Sequence, residues 1–220
     1  MDERDRDDAQ DPLEAWPRAE EQDPAAMLAM VEQERHRTAQ ALEPDARILY
    51  GVWGGAWLIG FLLLWGTVGG RPVPPLVGGL VFFLLLLTGV VVTIVHTTRR
   101  VSGVVGVSRR VGAMYGWSWT LGFAALTAVM AGAARAGADP ELLALLWPVL
   151  SGLVVGLLYL GAGALWQDRI QYGLGLWVLV SSAAGALAGF PAVYLVMALA
   201  GGGGFLLAAA WFVARGRRSR

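Results

Sequence analysis

The sequence predicts an all-α, polytopic membrane protein: six transmembrane helices with the N- and C-termini cytoplasmic, for which three repeated helical hairpins are one of two readings. Three observations predict it. Six apolar runs are each long enough to cross a bilayer. Charge is kept out of all six. Arginine collects in alternate links between them. A spanning helix needs about 20 mostly apolar residues, because the hydrocarbon core is about 30 Å thick. The chain is 56% hydrophobic and 15% charged, against roughly 25% charged in soluble domains.

The elements follow in chain order. Residues 1–22 are acidic, carry Pro12 and Pro17, and hold too few aliphatic residues to build a core, so disorder is expected. Over 23–47, Asp23-Pro24 reads as an N-cap followed by proline at the first helical position. A weak stripe of Met27, Met30, Val31 and Leu42 follows, up to Pro44-Asp45. This segment is either a cytoplasmic amphipathic helix lying on the membrane or a solvated helical linker. Residues 48–220 then form a six-helix transmembrane domain. Its spans are 48–69, 75–97, 112–134, 142–165, 172–190 and 191–214, and a basic C-terminal tail follows. Unpaired backbone groups are not tolerated in lipid, so these runs are expected to be helical.

The formal net charge of zero is a cancellation. The acids concentrate before residue 48, and all 30 glycines lie after residue 50. Arg99, Arg100, Arg109, Arg110, Arg169, Arg215, Arg217, Arg218 and Arg220 fall on one side of the predicted topology, against Arg71 and Arg135 on the other. The positive-inside rule places the arginine-rich side in the cytoplasm. The expected location is the bacterial cytoplasmic membrane, as a multi-pass protein.

Function classes are excluded in the same way. There is no cysteine, so disulfides, thiolate metal sites and cysteine nucleophiles are ruled out. No Walker, GxGxxG or HExxH pattern occurs, so no cofactor and no metal are expected. Buried carboxylates that could relay protons or sodium are missing from the spans, which argues against an ion-coupled antiporter. The expectation is a protein without enzymatic activity. Its partners are the lipid bilayer and either a protein partner or further copies of itself, and not nucleic acid.

One pattern recurs at the arginine-rich ends. Arg47-Ile-Leu-Tyr50-Gly51 opens span one, Arg110 to Tyr115-Gly116 opens span three, and Arg169-Ile-Gln-Tyr172-Gly173 opens span five. Tryptophans follow each. A threefold hairpin repeat explains this, with parallel units about an axis along the membrane normal. Independent placement of arginine, interfacial aromatics and glycine explains it as well. Tyr50, Tyr115, Tyr172, Asp168, Arg169 and His96 are the expected residues of the cytoplasmic interface. Asp139 is expected to cap span four ahead of Pro140.

Small residues supply the remaining candidates. Gly51 and Gly55, Gly152 and Gly156, and Gly185 and Gly189 form small-xxx-small faces for helix packing. Gly201, Gly202, Gly203 and Gly204 forfeit roughly 0.8–1 kcal/mol each of helix propensity relative to alanine. Either another helix packs on that backbone, or span six is broken there as a hinge or ligand site. Trp117, Trp119, Ser118, Ser151 and Ser181 are uncharged groups that suit a site for an apolar or weakly polar ligand.

The stretches EPDARILYGVWGGAW, RRVGAMYGWSWTLGF and YLVMALAGGGGF together resemble a group of uncharacterised six-span integral membrane proteins of GC-rich bacteria. The likeness covers the chain from about residue 25. It implies a six-span membrane fold and brings no activity with it. Ser151-Gly152 in span four is also superficially similar to the motif of intramembrane rhomboid proteases. Val149 stands where that motif has its first glycine, and span six has no histidine to activate the serine. Two functions remain. The first is a membrane binding or regulatory subunit acting through its cytoplasmic N-terminal segment. The alternative is a small transporter or channel for an apolar or weakly polar solute.

Overall fold

The computed structural model describes residues 27–30, 33, 45–69, 72–101 and 107–218. The chain divides into two units, Met1–Glu43 and Pro44–Arg220. In the first, residues 27–30 and 33 are helical and exposed. The acidic lead expected over 1–22, and most of the helix expected over 23–47, lie outside the described residues.

The second unit is all-helical among the described residues. It comprises α1 (Ala46–Trp65), α2 (Pro75–Val101), α3 (Val107–Arg135), α4 (Pro140–Leu165) and α5 (Arg169–Ala188). Then come α6 (Ala192–Val196), a π-helical turn (Met197–Gly202) and α7 (Gly203–Arg218). Six stretches are long and apolar enough to cross a membrane. The sixth, Ala192–Arg215, is built from α6, the π-turn and α7.

Helix starts follow from short acidic side chains. Asp45 caps α1, its carboxylate accepting from the Arg47 N–H at 3.0 Å. Span one therefore begins at Ala46, two residues before the apolar run suggests. Asp139 caps α4, accepting from the Glu141 and Leu142 amides, with Pro140 at the first position as expected. Asp168 caps α5 through the Ile170 and Gln171 amides. These caps satisfy N–H groups that have no carbonyl one turn back. α5 ends at Gly189, whose φ of 74° favours glycine, and the chain reverses through Phe190-Pro191.

α1, α4, α5 and the sixth span form the centre of the bundle; α2 packs on α1, and α3 packs on α4. Trp57, Phe61, Val155, Val178, Val193, Met197, Ala198 and Phe205 are buried among them. Two crossings bring backbone against backbone. Where α1 crosses the sixth span, a β-carbon on Gly202 would lie 2.6 Å from the Leu58 nitrogen and 3.0 Å from the Gly54 carbonyl oxygen. Where α4 crosses α5, a β-carbon on Gly175 would lie 2.7 Å from the Leu160 nitrogen and 2.9 Å from the Gly156 carbonyl oxygen. Helices in lipid gain little from apolar burial as such, so approach of this kind, with dense van der Waals contact, carries their association.

These contacts order the glycines of the sixth span. Gly202→Ala is expected to destabilise the bundle by about 1–3 kcal/mol, the usual cost of overpacking. Gly203 has open space beside it and a helical backbone, so Gly203→Ala is expected to be neutral or to stabilise by up to about 1 kcal/mol. Unfolding of both variants in a denaturing-detergent titration checks the order.

Candidate functional site

The irregular part of the fold is the π-turn at Met197–Gly202. Here the Gly203 N–H reaches the Ala198 carbonyl, five residues back instead of four. A π-turn widens the helix locally and often sits at functional positions. Trp177 of α5 reaches into it, donating its indole N–H to the Ala200 carbonyl oxygen at 2.8 Å. The Trp57 ring lies against Gly201, and a β-carbon on Gly204 would collide with the Trp177 indole. Gly201, Gly202 and Gly204 are thus each in contact with a neighbouring helix, whereas Gly203 is open. Close packing and a departure from α-geometry occur in the same stretch.

The other ligand candidates do not gather around it. Trp117 and Ser118 face outward on α3, and the Ser118 hydroxyl donates to Met114 O. Ser151 is partly buried on α4. Ser181 is buried on α5 and donates to Trp177 O; its neighbour Ser182 donates to Val178 O. Trp119 packs against Tyr115, Phe123 and Tyr159. The Ser118, Ser181 and Ser182 hydroxyls are each spent on their own helix, and among the described residues no buried side-chain polar atom lacks a partner. Nor does any cluster of three metal-ligating side chains occur among them.

The residues expected at the cytoplasmic interface occupy one end of the bundle in different settings. Tyr50 is buried between α1, α4 and α7, its ring 6.4 Å from Tyr159, 6.2 Å from Phe205 and 5.9 Å from Phe212. Tyr115 donates its hydroxyl to Leu158 O at 3.1 Å and meets the Trp166 ring edge-on. Tyr172 has an exposed side chain, but its backbone presses on Gly163. Asp168 is the α5 cap described above, and Arg169 beside it is exposed. At the same end, the His96 Nε2 accepts a hydrogen bond from the Asp45 N–H at 2.8 Å. The Arg47 side chain grips the Asp45 carboxylate, with Nη2 2.7 Å and Nε 2.9 Å from its oxygens. That hydrogen bonding holds the Asp45 carboxyl below its ordinary value of 3.8. The pair's contribution is fully present above that pH and is lost as pH falls through the lower folded-state value.

Of the glycine pairs expected to pack, Gly152 and Gly156 meet α5, and Gly152 also meets Met197; Gly185 meets Val193. Gly51 and Gly55 have open space beside them, and Gly54 carries the contact instead. Gly189 has no neighbour either and serves the turn. One surface escaped the sequence reading altogether. Gly112, Gly116, Thr120, Ala124, Ala128 and Gly132 recur every fourth residue along α3, and all six are exposed. The i, i+4 spacing of small residues is the sequence signal for it.

The six apolar helices define a multi-pass helical membrane protein. No family model, curated protein or solved structure matches the chain.

Asp168→Ala is expected to cost about 1 kcal/mol through loss of the α5 cap, and Asp168→Asn much less. Trp177→Phe is expected to cost a similar amount by removing the donor to Ala200. Thermal unfolding in mild detergent measures both.

Proposed function

We propose that the chain is a non-enzymatic membrane binding or regulatory subunit of the bacterial cytoplasmic membrane. It sits beside a partner membrane protein through α3 and presents its acidic N-terminal segment to the cytoplasm. The observation that carries this reading is the outward face of α3. Exposed large apolar side chains suit lipid, and both outer helices have them: Leu80, Phe83, Leu84, Leu87, Val91 and Ile94 on α2, and Met114, Leu121 and Val129 on α3, where the small residues run between them. A line of glycine, threonine and alanine offers lipid little, but it lets another helix approach closely. Within the bundle, crossings of this kind involve the same residue types, as at Gly156 and Gly175. The arginine distribution supports the cytoplasmic placement of the N-terminal segment.

A second reading, a transporter for an apolar or weakly polar solute, is favoured by the π-turn and its Trp177 contact. The helix in that case would open at Met197–Gly202 and expose backbone groups to the solute.

Native mass spectrometry of the chain extracted gently from its own membranes separates the two. The subunit reading expects a second polypeptide, lost in the Gly116→Leu and Gly132→Leu variants while the fold is retained, because both glycines have open space beside them. A chain that extracts alone would refute it. Solute flux in proteoliposomes that Trp177→Phe abolishes would establish the transporter.

A further inference from the structure

His96 is near the end of α2, and its Nε2 receives the backbone N–H of Asp45, the residue that caps α1. A ring nitrogen that accepts carries no proton, so the neutral ring holds its proton on Nδ1. The Asp45 amide lies ahead of the helix and has no helical carbonyl to bond. The imidazole therefore ties the start of α1 to the end of α2, at the point where the chain from Met1–Glu43 enters the bundle.

We propose that this contact is a pH-sensitive latch: protonation of His96 releases the first turn of α1 from α2. A proton on Nε2 turns the acceptor into a donor facing a donor, so the bond cannot persist. Histidine is the side chain whose ordinary titration falls between pH 5 and 8. Among the described residues, three charged groups lie near the ring. Asp45 and Arg47 belong to α1, the helix packed on α2, and Arg99 lines the same surface groove one turn along α2. The Asp45 carboxylate attracts an imidazolium, but Arg47 already holds that carboxylate. A charged His96 competes with Arg47 for it and loosens the α1 cap. Two further α1–α2 contacts do not titrate. Trp53 donates to Thr93 Oγ1 at 3.0 Å, and its ring lies against Gly89. Release is therefore confined to the first turn and leaves the helix pair assembled. The latch stands whether or not α3 docks a partner.

The test is 15N NMR of the full chain in lipid nanodiscs, labelled at histidine and aspartate, followed from pH 8 to pH 5. The sequence has two histidines, and His36→Gln assigns their signals. At pH 8 the latch requires an unprotonated Nε2 and a protonated Nδ1 on His96. As the ring protonates, exchange of the Asp45 amide, corrected for the intrinsic pH dependence, is expected to quicken about fivefold, the factor for one net hydrogen bond. His96→Gln supplies an acceptor that does not titrate, and its Asp45 amide is expected to keep the same corrected exchange at both pH values. A protonated Nε2 at pH 8 overturns the proposal. So does a wild-type Asp45 amide whose corrected exchange stays constant, or one that changes equally in His96→Gln.

Discussion

The structure depends on two helix crossings where backbones touch: α1 against the sixth span at Gly54 and Gly202, and α4 against α5 at Gly156 and Gly175 and again at Gly163 and Tyr172. Between apolar helices in lipid, burial of apolar surface gives no preference for protein over solvent. What remains is van der Waals contact and weak polar contact, both of which fall off steeply with distance. Glycine allows the closest approach, at a cost in helix propensity of about 1 kcal/mol per residue. The sixth span carries four glycines in a row and bears that cost in its middle, where α1 presses on it.

That concentration of glycine coincides with the only π-turn among the described residues. A wider turn presents its carbonyls at a different angle, and Trp177 meets one of them with its indole N–H. The polar accounting closes there as it does elsewhere in the bundle: serine and threonine hydroxyls return to carbonyls on their own helices, and the tyrosine of α3 crosses to α4. At one end of the bundle the rings of Tyr50, Tyr159, Trp57 and Phe205 form a contiguous aromatic cluster. It fills the space that large side chains must occupy once the glycines have drawn the backbones together.

α2 turns large apolar groups outward, whereas α3 turns outward a run of small residues together with the large side chains of Met114, Trp117, Leu121 and Val129. The link from α2 back to the start of α1 is made by His96, whose Nε2 accepts the Asp45 N–H. In the proposed subunit the docking helix α3 packs on α4, whereas the His96–Asp45 contact joins α2 to α1.

The sequence by itself determined the solvent, the number of spans and their approximate limits. Hydrophobic length and the exclusion of charge are properties of each segment alone. It also determined the Asp139 cap, which depends only on residues adjacent in the chain. Which glycine face meets which helix was decided by the tertiary structure. Gly51 and Gly55 have the spacing of a packing face, yet α1 is rotated so that Gly54 makes the crossing, because the neighbour's position selects among faces that the sequence leaves equivalent. The π-turn, the Trp177 bond and the pairing of His96 with Asp45, fifty-one residues away, were likewise decided there. Each joins groups remote in sequence, and no local periodicity encodes such a meeting.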